Sequence, residues 1–333
     1  MPLVQNFIYS QQPLHPMPYH LAREDLEVFL GSLGAYEVHA PVEKDGVVVF
    51  KRFEDGDRIE IGRNAYYPPK KLFLPQQEDM YSYRQVRVLT LSMERAESRV
   101  QNKRRILFGI RLCDLKAIQL MDRLYLAEPS DPFYRANREN TVIIALRCNK
   151  PGENCFCDSM GIVDKGYDIL FEERYNGFIV ETYSKVGEKL IDNRLFQQTA
   201  EKIGKHPKCR IQTKPAKLPE KHPVYDRNAV KCLTCQACNI VCPTCGCFSF
   251  RDLPNLNLHT GKRTRVWDYC QGSGFSSGEK PRDIKERYAH RLLCKFNYFK
   301  DNIGDYTCTG CGRCKTACLS GICDIPKIME EVR

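Results

Sequence analysis

Two unbroken apolar runs, RRILFGI (residues 104–110) and TVIIALRC (141–148), stand out from a chain otherwise cut into short polar and apolar stretches. Runs of this length that do not alternate read as strands buried on both faces. Between them, CDLKAIQLMDRLYL spaces Leu115, Ile118, Leu120 and Leu124 as an amphipathic helix, and YDILFEERYNGFIVETY reads as a hairpin around Asn176-Gly177. These elements predict an α/β domain over residues 1–203. Residues 204–223, GKHPKCRIQTKPAKLPEKHP, are rich in Lys and Pro and read as a linker. Beyond it, KPRDIKERYAHRLLCKFNYFKDN repeats Ile284, Tyr288, Leu292 and Phe296 every four positions, with Pro281 near the start, as the apolar face of a helix. Residues 224–333 are therefore expected to form an α-helical domain, with that stripe serving as core packing.

Composition narrows the classes. A hydrophobic fraction of 42% over 333 residues argues for a folded protein with a sizeable core. No apolar run reaches bilayer length, and the opening residues MPLVQNFIYSQQPLHPMPYH lack a basic leader with an apolar core, so the expectation is a cytoplasmic, non-transmembrane protein. The formal charge of +10 is spread along the chain among 41 acids, with no basic-aromatic run of the kind that binds nucleic acid.

Eighteen cysteines change the picture more than charge does. Thiols in a reducing compartment are poor disulfide scaffolds, which leaves metal as their owner. Cys232, Cys235, Cys238 and Cys242 form C-x2-C-x2-C-x3-C followed by Pro243, and Cys308, Cys311, Cys314 and Cys318 repeat the spacing, with Leu319 in place of the proline. In two-cluster ferredoxins such a run wraps three thiolates around one cubane and sends the fourth to the other. The expected ligands are Cys232, Cys235, Cys238 and Cys318 for one [4Fe–4S] cluster, and Cys308, Cys311, Cys314 and Cys242 for a second. Gly310 and Gly312 suit the tight wrap. Zinc, usually held by two separated C-x2-C pairs, fits this spacing badly. Two such clusters would bring the net charge to about +6.

A further four cysteines lie upstream: Cys113 after one strand, Cys148 at the end of another, and Cys155 and Cys157 in PGENCFC. Strand ends converge at one edge of an α/β sheet, so these four could close a third cluster there. Equally, Cys113 and Cys148 could be small buried hydrophobes.

The ordered set FGIRLCDLKAIQLMDRLYL, DPFYRANRENTVIIALRCNKPGENCFCDSMG, CLTCQACNIVCPTCGCF, VWDYCQGSGF and CTGCGRCKTAC, with NAYYPPKKLFLPQQEDMY ahead of it, resembles the [4Fe–4S] dicluster family. That family includes the iron–sulfur subunit of anaerobic sulfite reductase and the beta subunits of sulfhydrogenases, and the likeness spans roughly residues 60 to 325. The resemblance implies an electron-transfer subunit of a hetero-oligomeric oxidoreductase of anaerobic metabolism. Its partners would be a flavin-containing NAD(P)H- or ferredoxin-linked subunit, together with a catalytic reductase or hydrogenase subunit, with no flavin on this chain. It supports the third cluster at Cys113, Cys148, Cys155 and Cys157. Cys245, Cys247 and Cys270 also match family positions, and their role stays open; Cys209, Cys294 and Cys323 are expected to be ordinary thiols.

No other catalytic constellation competes. H-E-x-x-H, a Walker loop and a strand-bounded G-x-G-x-x-G are all missing, and QGSGFSSG sits in a polar loop. The seven histidines are scattered, His290 within the predicted helix. The alternative function is a thiol-disulfide or sulfur reductase, in which Cys245 and Cys247 work beside a cluster.

Overall fold

The structure is a computed structural model that describes residues 12–15, 17–87, 90–95, 104–275 and 283–333. The chain opens with β1 (Tyr19–Ala22), α1 (Asp25–Ser32), β2 (Glu37–Lys44) and β3 (Val47–Arg52). A 3₁₀ turn (Pro69–Leu72) leads into β4 (Gln77–Arg87) and β5 (Thr90–Arg95). Next come β6 (Arg105–Ile110), α2 (Leu112–Tyr125), α3 (Pro132–Glu139), β7 (Thr141–Leu146), β8 (Ile169–Arg174), β9 (Gly177–Thr182), α4 (Lys185–Ile191) and β10 (Phe196–Gln198). Eight of these strands form one mixed sheet in the order β10-β1-β9-β8-β7-β6-β2-β3. Its centre, β2-β6-β7-β8, is parallel.

The two apolar runs are β6 and β7, and they are apolar throughout because both faces of the sheet are covered. Ile106, Phe108, Ile144 and Leu146 face a core shared with Phe29 of α1 and Phe171. Leu107, Ile143 and Ala145 point the other way, onto Leu112, Leu115 and Ile118 of α2. The predicted hairpin is β8–β9, turning through Tyr175 and Asn176. At the end of β6 the ladder slips between Phe108 and Ile110. Gly109 sits there at φ 76°, where a Cβ would lie 2.9 Å from the Pro41 ring. A side chain would be strained in both respects, so glycine sets the turn that delivers the chain to Cys113.

Residues 204–222 carry no regular element, and Cys209 and Leu218 within them are buried. The C-terminal region contains α5 (Pro223–Ala229), α6 (Ala237–Ile240), β11 (Phe248–Pro254), β12 (Thr260–Trp267), α7 (Ile284–Leu293), a π-helical turn (Cys294–Tyr298), α8 (Phe299–Ile303), α9 (Arg313–Thr316) and α10 (Ile325–Glu331). Of the expected stripe, Tyr288, Leu292 and Phe296 are buried in the core of this region beside Val224, Ile322, Ile325 and Met329. An Asp283–Glu286 capping box starts α7; Pro281 lies outside the described residues.

The expectation of an all-helical C-terminal region is corrected. β11 and β12 make a hairpin that joins β4 and β5 in an antiparallel sheet of order β11-β12-β4-β5. The reason it escapes pattern reading is physical: β11 is largely solvent-exposed, with Phe250 and Leu253 facing water, so no apolar period marks it. The hairpin is held from outside instead. Arg265, buried on β12, pairs with Glu78 of β4 and with Asp131, the N-cap of α3. Among the described residues no helix is long and apolar enough to cross a membrane.

Candidate iron–sulfur site

The two C-x2-C-x2-C-x3-C runs share one backbone design. In the first, Thr234 (φ 51°) and Gln236 (φ 60°) are left-handed; in the second, the equivalent positions are Gly310 (φ 68°) and Gly312 (φ 73°). Each loop then enters a single helical turn, α6 carrying Cys238 and α9 carrying Cys314. Left-handed residues turn the backbone inward so that successive thiols point at one centre. The first run does this with non-glycine residues, at a cost of order 1 kcal/mol each.

The fourth cysteine of each run lies away from its own loop. Cys318 lines a cavity together with Cys232, Cys235 and Cys238, joined by Cys323. The Cys323 thiol donates toward Cys318, and with the Ser320, Ile322 and Cys323 amides it draws Cys318 down to about 5. Cys238 is lowered to about 6 by Cys323 and by buried Arg291, which also donates to the Cys238 carbonyl at 3.2 Å. Burial pushes Cys308 up to about 12 and Cys314 to about 11. The charged neighbours that add to the shifts of Cys311 and Cys314 include Cys242, the last cysteine of the first run. Cys318 thus shares the cavity of the first run, while Cys242 neighbours Cys238 of its own run as well as Cys311 and Cys314 of the second.

The four upstream cysteines also converge. Cys113 opens α2, Cys148 follows β7, and Cys155 and Cys157 come from the loop after it. Cys113, Cys155 and Cys157 share one buried cluster, and the charge of Cys148 bears on both Cys155 and Cys157. The Cys155 Sγ stands 3.6 Å from the Cys311 carbonyl, so this group abuts the second run. Gly310 makes that approach feasible: a Cβ there would fall 2.6 Å from the Cys157 Cα, and the Phe156 amide donates to the Gly310 carbonyl at 2.8 Å. The structure adds a residue that sequence reasoning set aside. Cys209, expected to be an ordinary thiol, is buried with its Sγ 3.5 Å from that of Cys157. It lies 52 positions away in a polar segment, and nothing local in the sequence announces the contact.

Cys245, Cys247 and Cys270 gather on the other side of the first run, around Asn239 and Lys70. His290 packs against Tyr298 in place of lining any of these groups. Among the described residues no three His, Cys, Asp or Glu side chains converge on a single ion. A tetrahedral zinc site with 2.3 Å bonds needs its sulfurs roughly 3.8 Å apart, whereas thiolates on a cubane stand at the corners of a larger body.

The donor set fits that body: all thiol, in groups of four on loops that turn inward, with Arg291, Lys295 and Arg313 buried among them. Fold and site define an iron–sulfur electron-transfer protein. Residues 231–322 match the 4Fe-4S dicluster domain family. The chain is 30% identical over 321 residues to sulfhydrogenase 2 subunit beta of Pyrococcus furiosus, covering 89% of this chain and 92% of that protein. It belongs to the family of 4Fe-4S electron-transfer subunits that contains that protein. No solved structure matches it.

Proposed function

We propose that this chain is the electron-relaying subunit of a cytoplasmic, sulfhydrogenase-like complex, carrying two crossed [4Fe–4S] clusters and a third. Cys232, Cys235, Cys238 and Cys318 hold the first, Cys308, Cys311, Cys314 and Cys242 the second, and Cys113, Cys148, Cys155 and Cys157 the third. Such clusters supply one-electron transfer. The chain's own residues provide the rest: Arg291, Lys295 and Arg313, all buried, offset the negative charge of the thiolates.

The observation that carries this reading is contiguity. The cysteine groups adjoin one another from Cys113, through Cys155 against Cys311, to Cys242 and the first run. At the far end Cys235 is exposed, with Leu233 and Leu319 exposed beside it, which suits contact with a partner. The partners proposed are a flavin-containing NAD(P)H- or ferredoxin-linked subunit, together with a catalytic reductase or hydrogenase subunit. The relative's name, subunit beta of a sulfhydrogenase, supports the second. Of the two cysteines of the sulfur-reductase alternative, which needs a thiol open to substrate, Cys245 is buried and Cys247 half-buried.

The test is an anaerobic assay of the cluster-loaded chain alone and with its partners. Alone it accepts electrons from a strong artificial donor but neither oxidises NAD(P)H nor reduces sulfite, polysulfide or protons, because those reactions need a hydride acceptor or a catalytic metal. Robust NAD(P)H oxidation or sulfur-compound reduction by the isolated chain would replace the relay with the reductase reading.

A further inference from the structure

Besides Cys209 and Cys323, four cysteines belong to neither ferredoxin run nor to the upstream group, and they come from separate places in the chain. Cys245 and Cys247 follow the first run, Cys270 follows β12, and Cys294 opens the π-helical turn after α7. The fold brings them together. The Asn239 side chain, itself fully buried, points its amide nitrogen at both the Cys245 sulfur (3.5 Å) and the Cys270 sulfur (3.6 Å). Cys247 and Cys294 complete the group: the Cys247 carbonyl accepts from the Asp268 amide at 3.2 Å, two residues before Cys270, and Cys294 precedes Lys295, whose ammonium reaches Thr244 beside Cys245.

The surroundings are those of an anion. Lys70 is buried, and its ammonium donates to the carbonyls of Asn239 (3.1 Å) and Cys245 (2.9 Å) and to the Tyr269 hydroxyl (3.1 Å). It also lies 4.5 Å from the centre of the Trp267 ring. Lys295 is buried as well, donating to the Thr244 hydroxyl at 3.1 Å. Among the described residues neither lysine has a carboxylate partner. Two buried ammonium groups carry a heavy desolvation penalty unless anions stand by them, and the thiols near both are those of Cys242 and Cys245. Neutral thiols do not relieve that penalty; thiolates on a cluster of net negative charge do.

The C-x-C backbone is also clamped. A Cβ on Gly246, between the two cysteines, would fall 2.5 Å from the Tyr125 hydroxyl, which donates to the Gly246 carbonyl at 2.8 Å. Tyr125 belongs to α2, so the N-terminal region fixes this loop from outside. The other C-x-C, Cys155 to Cys157, is clamped in the same way against Gly310 of the second run. Each ferredoxin run therefore has a C-x-C loop fixed at its flank.

We propose that Cys245, Cys247, Cys270 and Cys294 hold a further iron–sulfur cluster of the cubane class, with Lys70 and Lys295 as its buried counter-cations. It sits beside the ferredoxin centre that Cys242 joins, because the Cys245 amide donates to the Cys242 carbonyl at 3.4 Å. The proposal rests on the reading of the chain as an iron–sulfur protein, and its test separates the two.

Iron and acid-labile sulfide are counted in the anaerobically reconstituted full chain and in its Cys270→Ala/Cys294→Ala variant, with the spectra of the ferredoxin centres recorded in both. The expected result is a loss of about four irons per chain with the ferredoxin signals kept. Equal iron in the two proteins overturns the additional cluster and leaves the iron–sulfur reading standing. A wild-type chain with neither iron nor sulfide overturns both. Iron-edge anomalous diffraction from wild-type crystals gives a second readout that does not depend on the variant folding: an iron peak among the four sulfurs beside Asn239 is expected, and its absence there overturns the proposal.

Discussion

Arg313 and Asp114 form a buried two-pronged ion pair, Nη1 to Oδ1 at 2.5 Å and Nη2 to Oδ2 at 2.7 Å. The Arg313 Nε also donates to the Ala65 carbonyl at 2.7 Å. Arg313 stands between Cys311 and Cys314 of the second run; Asp114 follows Cys113 at the start of α2. One guanidinium thus ties the second ferredoxin loop to the helix that presents the upstream group.

Breaking that tie should be costly. Asp114→Asn leaves a buried guanidinium without its counter-ion, a change worth about 3–5 kcal/mol. The thermal midpoint of the anaerobic protein should drop by several degrees. Arg313→Lys, which keeps the charge but loses the fork, should fall between that variant and the wild type. Equal midpoints for all three proteins would show that the pair does not hold the regions together.

The proposed crossed ligation predicts how substitutions group. Cys318→Ala should disturb the same electron paramagnetic resonance signal as Cys235→Ala, because both sulfurs line the cavity of the first run. Cys242→Ala should group with Cys311→Ala. Signals that sort by sequence neighbourhood, Cys318 with Cys311 and Cys242 with Cys235, would contradict the crossing.

The upstream group makes a sharper prediction because it holds five sulfurs for four positions. Cys113→Ala and Cys157→Ala should each lower iron by about four per chain. Cys148→Ala should do the same, while Cys209→Ala should leave the iron content unchanged. The reverse outcome for the last two would make Cys209 the fourth ligand.

Cys209 also shows where the sequence stops being readable. The two ferredoxin runs are legible because their chemistry is local: each loop brings three ligands within seven residues. The strands β6 and β7 and the helix α2 are legible because burial on both sides of a sheet leaves an unbroken apolar record. Cys209 and Cys294 leave none, since each meets its neighbours only through tertiary packing across polar sequence. The left-handed Thr234 and Gln236 are hidden for a different reason. Their conformation is imposed by the loop and not favoured by the residues, and only the glycines of the second run advertise it.

The functional consequence of contiguity is that a break in the middle of the chain of centres should separate two half-reactions. Cys311 occupies that middle, with its carbonyl against the Cys155 sulfur and its own thiol near Cys242. In the assembled complex, Cys311→Ala should leave each partner's reaction with an artificial dye nearly intact, because neither active site is touched. The coupled reaction, from the reduced donor to the final acceptor, should fall by at least an order of magnitude, since the relay is its only route. The comparison requires that the variant complex assembles, which size-exclusion chromatography establishes before the assays. If the coupled rate survives in an intact complex while the second cluster's signal is gone, electrons bypass Cys311, and the second run serves to hold the fold and not to carry current.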